Sequence, residues 1–165
     1  MRLLDRILGT HEGSPLPVEE YLRDENVRFS VHHHPPAYSA QRLAAVEHVP
    51  GSMVAKVVIA YADDQMVMLC LPAPCRVDLI KLMNLLGTDD VRLATEQDME
   101  MAFPDCEVGA MPPFGNLYRM PVFVDKQLAE DERVLFQACR HTDTIEMRFD
   151  DFTRLVHPVV TDFCA

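Results

Sequence analysis

Residues 53–71 read MVAKVVIAYADDQMVMLCL, and the fold class turns on this stretch. Met53–Tyr61 is predicted as a strand, Ala62-Asp63-Asp64-Gln65 as a turn, and Met66–Leu71 as the returning strand. Four residues cannot make a parallel crossover, so the pair is an antiparallel hairpin. Both arms are apolar at successive positions, so both of their faces should be covered and the hairpin should lie centrally in its sheet.

Upstream, Val18–Glu25 is predicted as a helix and Val27–His33 as a strand, stopped by Pro35 and Pro36, which cannot donate ladder hydrogen bonds. Ser39 is placed to cap a helix from Ala40 to His48, ended by Pro50-Gly51. Downstream, Asp78 opens a helix with Leu79, Leu82, Met83 and Leu86 on one face, and Gly87 closes it. Thr95 with Asp98 reads as a capping box for a short helix burying Met99, Ala102 and Phe103. Short strands are predicted at Pro121–Val124 and Arg133–Ala138. A third, from Thr144 to Phe149, points Ile145, Met147 and Phe149 inward. Asp150 or Asp151 is placed to cap a last helix before Pro158. These elements predict a single α/β domain, a mixed curved β-sheet flanked by helices, at 18–158. An N-terminal appendage is expected at 1–17 and a C-terminal tail at 159–165. No GxGxxG or P-loop sequence is present.

The length suits one domain with its own core, and 48% apolar residues exclude a disordered chain. No apolar run approaches the ~20 residues of a membrane span, and residues 1–30 carry no signal-peptide pattern, so a cytoplasmic protein without a membrane partner is expected. Asp and Glu number 26 against 15 Lys and Arg, a formal charge of −11. That excess argues against DNA as a partner and against a broad basic surface gripping nucleic acid. The five cysteines, Cys70, Cys75, Cys106, Cys139 and Cys164, contain no CxxC pair and are odd in number, so reduced thiols are expected, with Cys70 and Cys75 packing as small hydrophobes.

Two features point to chemistry. Lys56 sits mid-strand among apolar residues, where an unpaired buried ammonium costs several kcal/mol. It either snorkels to water or aims into a pocket that holds an anion or carbonyl. Gly109-Ala-Met-Pro-Pro-Phe-Gly115 is stiff in its middle and permissive at its ends, and such a loop can aim backbone N–H groups at an oxyanion. Pro112 and Pro113 have no N–H, so the donors would come from Ala110, Met111, Phe114 or Gly115. His32 and His34 share a strand face, but no further ligands follow at a recognisable spacing, and no metal is expected. No serine or cysteine stands in a nucleophile pattern. Glu130-Asp131-Glu132 and Asp150-Asp151 fit turns and caps.

The order and spacing of these segments resemble the YbaK-type superfamily, which also supplies the editing domain of bacterial prolyl-tRNA synthetases. The segments are His34-Pro-Pro-Ala-Tyr-Ser39, Pro50-Gly-Ser-Met-Val-Ala-Lys56-Val-Val-Ile59, Asp78–Gly87, Gly109–Gly115, Arg119–Asp125 and Thr144-Ile-Glu146, over roughly Val18 to Val156. The resemblance implies a cofactor-free, trans-acting hydrolase that clears mischarged tRNA, typically tRNA-Pro, with the tRNA 3′ aminoacyl end as partner and a synthetase as a second. It implies that Lys56 contacts the terminal nucleotide and that backbone N–H groups of the loop, at Gly109, Ala110 and Gly115, hold the aminoacyl carbonyl. It lines the substrate site with His34, Tyr38, Met111, Pro113, Phe114, Gln137 and Thr144. Attack by water or by a group of the substrate is implied, in keeping with the lack of a side-chain nucleophile. The chain departs from the family pattern at Gln137, where some alanine-specific members place histidine, and at Thr144, where cysteine-clearing members place aspartate. Two further readings stand beside it: a non-catalytic domain of the same fold binding an aminoacyl or nucleotide ligand or a protein, and a histidine-based metal protein.

Overall fold

The computed structural model describes residues 17–165. The expected appendage lies outside the described residues apart from Pro17, which opens the first helix. In chain order the elements are α1 (Pro17–Asp24), β1 (Phe29–His33), α2 (Ala40–Glu47), β2 (Ala55–Ala62), β3 (Gln65–Pro72), α3 (Leu79–Leu86), β4 (Val91–Leu93) and α4 (Glu96–Ala102). They continue with β5 (Val122–Asp125), β6 (Arg133–Gln137), β7 (Asp143–Arg148), α5 (Phe149–Val156) and β8 (Val159–Thr161).

The hairpin forms as its composition dictates. β2 and β3 pair antiparallel from Ala55 opposite Pro72 to Ala62 opposite Gln65. They occupy the interior of a five-stranded mixed sheet of order β4-β2-β3-β5-β8. Both faces of β3 are covered: Met68 and Cys70 enter the main core, while Val67, Leu69 and Leu71 pack under α3 and Phe163. A short run with no polar alternation can only be stable buried on both sides.

Instead of one curved sheet there are two. β1, β7 and β6 make a separate antiparallel sheet, linked to the first by a bridge between Val54 and Leu135. The main core fills the space between them, with Phe114 at 5.5 Å from both Phe136 and Phe152, the latter edge-on. Those rings pack in the core, and the two sheets meet at the bridge.

The helix ends follow local chemistry. Ser39, Asp78 and Thr95 cap α2, α3 and α4 with their side chains, and Thr95 and Asp98 form the full capping box. Gly87 closes α3 at φ +69°. α5 differs from expectation: it begins at Phe149 after Arg148, and Asp150 and Asp151 lie in its first turn, where the helix dipole favours them. β4 was not foreseen, because three residues on an edge leave no periodic signal.

Residues 159–165 are not a tail. β8 pairs parallel with β5, and Phe163 and Cys164 are buried. The cause is Asp125, fully buried at the end of β5. Its carboxylate accepts from the N–H groups of Gln127, Phe163 and Cys164 at 2.9–3.0 Å, fixing the returning chain against the sheet. The expectation of five free thiols is also corrected: Cys106 and Cys139 are joined in a disulfide, and Cys70, Cys75 and Cys164 are free. Spacing gives no sign of this pair, which the fold alone brings together.

Candidate active site

A small pocket opens at the junction of the two sheets. Ala55, Lys56 and Val57 at the start of β2 line it, with Ala40 and Leu43 of α2, Gly109 and Met111 of the glycine loop, and Gln137 at the end of β6. Its volume is about 40 Å³. One water needs roughly 10–15 Å³, so the space suits a small substituent rather than a large side chain.

The glycine loop is a buried structure with an open end. Residues 110–115 are all buried, whereas Gly109 is exposed and takes φ +88°. At Gly115 the limit is space: an added Cβ would lie 2.6 Å from Val122 and 2.7 Å from the Met120 carbonyl. The Ala110 N–H donates to the Glu107 carbonyl at 3.0 Å, so it is not free for substrate. The Gly109 N–H meets only the Met111 thioether, a weak acceptor, at 3.3 Å. Among the described residues the Met111 N–H has no acceptor. Of the loop residues only Gly109 and Met111 line the pocket, so any backbone donors the loop offers there come from these two, not from the whole loop.

Several residues expected at the substrate lie elsewhere. Phe114 is fully buried between Tyr21, Phe136 and Phe152, and Pro113 is buried beside it, so neither has a surface to present. Thr144 is fully buried and meets His34 Nε2 at 2.6 Å. His34 Nδ1 faces the Pro35 carbonyl at 2.7 Å, so that nitrogen carries the proton and the Thr144 hydroxyl donates to the other. His34 lines a separate open groove with His32, His33 and Glu47. There His32 meets Glu47 at 3.0 Å, and His33 bonds Asp143. Tyr38 is 76% exposed, and its ring lies 4.9 Å from that of His141.

Lys56 lines the pocket, but its amine turns aside. It shares a strand face with Val58 and Ala60, which pack with the α3 core, while Ala55, Val57 and Ile59 face the main core. Nζ donates to the Cys75 carbonyl and to that of Ala73 at 3.4 Å. Burial pulls its pKa below the usual 10.5, with the neighbouring Arg76 adding to the fall and Cys75 and Cys164 opposing it.

His141 was missed by sequence reasoning. It is buried, and its ring bridges the two loops beside the pocket, with Nδ1 at 3.2 Å from the Ala37 carbonyl and Nε2 at 2.9 Å from that of Val108. Carbonyls only accept, so a neutral ring donates to one of them and an imidazolium to both. Gln137 Nε2 donates to the same Ala37 carbonyl. A lone histidine after a strand carries no spacing signal, so only the closure of β6 and β7 reveals it.

Residues 34–155 match the family model of the aminoacyl-tRNA editing domain. The chain belongs to that family. Among curated proteins, this editing domain is similar to the proline–tRNA ligase of Nitratidesulfovibrio vulgaris (strain Hildenborough), at 32% identity over 97 residues. The match takes in 59% of this chain and 17% of the ligase, so the chain spans a small part of that relative. Among solved structures, the editing domain is similar to hypothetical protein APE2540, with TM-score 0.81 at 21% identity over 90% of this chain and 99% of that one. It is also similar to a candidate trans-editing enzyme for prolyl tRNA synthetase, with TM-score 0.79 at 18% identity over 90% and 94%. These likenesses show the fold. No helix among the described residues is long and apolar enough to cross a membrane.

Proposed function

We propose that this editing domain is a trans-acting deacylase that hydrolyses the ester of a small amino acid mischarged on tRNA, with tRNA-Pro as the favoured class. The observation that carries the reading is the pocket of about 40 Å³, which joins the Gly109 and Met111 backbone donors to a cation on β2. An aminoacyl ester is already activated, so positioning and stabilisation of the developing oxyanion supply most of the acceleration. In this reading the Gly109 and Met111 N–H groups hold the carbonyl. The Ala40, Leu43 and Ala55 walls admit an alanine-sized side chain and exclude proline by size. Lys56 leaves its two carbonyls to meet the phosphate of the terminal nucleotide. Water or a ribose hydroxyl attacks. The protein then works in the cytoplasm, where aminoacyl-tRNA is made. With a net charge of −11, binding of bare tRNA is weak and salt-sensitive, aided by a synthetase that delivers the end.

The test is a panel of mischarged tRNAs offered to wild type and to Lys56→Ala. Hydrolysis of alanyl-tRNA-Pro by wild type, reduced in the variant, is expected. If wild type cleaves no aminoacyl ester faster than Lys56→Ala, the enzyme reading is lost. One observation favours a binding role instead: the Lys56 amine is already engaged by the Ala73 and Cys75 carbonyls. An aminoacyl-adenosine analogue that raises Tm, alongside esters that are never turned over, would support it.

A further inference from the structure

The Cys106–Cys139 disulfide stands at the root of the pocket. Gly109 and Met111, three and five residues beyond Cys106, line the pocket on one side. Gln137, two residues before Cys139, lines it on the other. Around the bond the same two segments are laced by backbone hydrogen bonds. The Glu107 N–H donates to the Cys139 carbonyl and the Cys139 N–H to the Ala110 carbonyl, both at 2.8 Å. The bond is therefore the covalent member of the set that fixes the donor loop against the end of β6.

We propose that this pair is a thiol–disulfide clamp whose oxidation state sets the order of the donor loop, and through it the rate of deacylation. The part concerning rate rests on the function proposed above, while the part concerning loop order does not. Cys106 is half-buried whereas Cys139 is buried, so the first exchange falls on Cys106. In oxidation the Cys106 thiolate attacks one sulfur of a low-molecular-weight disulfide such as glutathione disulfide. The new S–S bond forms as the old one breaks, and one glutathione leaves and takes up a proton. The Cys139 thiolate then attacks the Cys106 sulfur and expels the second glutathione. Two protein thiols are oxidised and one glutathione disulfide is reduced to two thiols. Reduction by two glutathione thiols runs the same steps in reverse and releases glutathione disulfide.

A polar cluster surrounds the bond. The Tyr118 hydroxyl lies 3.5 Å from the Cys106 sulfur and 3.9 Å from that of Cys139, and donates to Asp105 at 3.1 Å. The other oxygen of Asp105 is buried without a partner. Asp105 and Tyr118 thus place polar groups directly beside both sulfurs. Elsewhere, burial pushes the Cys70 and Cys164 thiols up and leaves them unreactive at neutral pH.

The test uses the full-length chain equilibrated in glutathione buffers from oxidising to reducing, followed by alkylation, peptide mapping and amide hydrogen exchange. A Cys106–Cys139 cross-linked peptide should appear in oxidising buffer and vanish in reducing buffer. Exchange of the amides of Glu107–Met111 should rise about tenfold on reduction. Cys106→Ser should exchange at the reduced rate in every buffer. Cys139→Gly, which suits the φ of +72° at that position, gives a second unbonded variant if the first folds poorly. Deacylation should fall about tenfold on reduction in wild type and be insensitive to buffer in both variants. Failure of Cys106 and Cys139 to pair in any buffer, equal exchange in both states, or stoichiometric zinc on Asp105, Cys106 and Cys139 of the reduced chain would each overturn the clamp. Absence of deacylation in every state, with the exchange difference intact, would overturn the function proposal and leave the loop clamp standing.

Discussion

The Gly109–Gly115 loop and the Lys56 segment of β2 both stand out in the sequence, and the fold treats them in opposite ways. The loop is fixed from behind. Phe114 is a core side chain, Gly115 has no room for a methyl group, and only Gly109 and Met111 reach the pocket. Lys56 is held by its tip, its amine hydrogen-bonded to the Ala73 and Cys75 carbonyls and only partly buried. The loop thus carries stability and donor geometry together, and damage to it costs both. In the proposed function Lys56 carries a charge released toward a ligand, so its removal should cost function with little loss of fold.

The largest effect that could break this contrast is at the loop anchor. Phe114→Ala removes a fully buried ring from between Phe136 and Phe152 and should cost about 4 kcal/mol, read from urea denaturation. A cost below about 1 kcal/mol would mean that the loop is not anchored by the core. Gly115→Ala comes next, at about 2–3 kcal/mol, because its methyl group meets the Met120 backbone as well as a Val122 side chain.

Lys56→Ala sharpens the other half. Stability should change by less than about 1 kcal/mol, while kcat/KM for the mischarged tRNA falls roughly 100-fold, the scale of losing one charge-assisted contact to the terminal phosphate. A variant that lost stability and kept its rate would reverse the assignment. A pH series tests the burial itself. The folded chain releases the Lys56 proton below the ordinary 10.5, chiefly because burial penalises the ammonium. Just below pH 10.5 the unfolded state therefore binds more protons, and wild-type stability relative to Lys56→Ala should rise with pH through that window. The smallest effect lies away from both regions. Thr95→Ala, which removes the N-cap of α4, should cost about 1 kcal/mol and leave deacylation unchanged.

Much of the fold was readable because its signals are local. The hairpin shows in its apolar composition, and three helix starts show in Ser39, Asp78 and Thr95, whose side chains bond N–H groups two or three residues on. What escaped depends on residues far apart in the chain. The role of residues 159–165 is set by Asp125, whose carboxylate is 38 and 39 positions from two of its donors. The core between the two sheets joins aromatic side chains from three separate segments.

The site divides along the same line. Residue type alone marked Lys56 and the glycine loop, since a lone lysine among apolar neighbours and a Gly/Pro-punctuated loop are unusual in any context. It could not say which loop N–H groups remain free, that Thr144 and Phe114 are interior, that His141 joins two loops, or that Cys106 meets Cys139. Each of those rests on which surfaces are buried and which groups come within contact or hydrogen-bond reach, properties of chain closure rather than of neighbouring residues. The sequence determined the inventory of groups able to do the chemistry and the local elements that carry them. The tertiary structure decided which of those groups face the pocket and which are used to hold it together, because burial and long-range hydrogen bonding consume donors that no local pattern can show as spent.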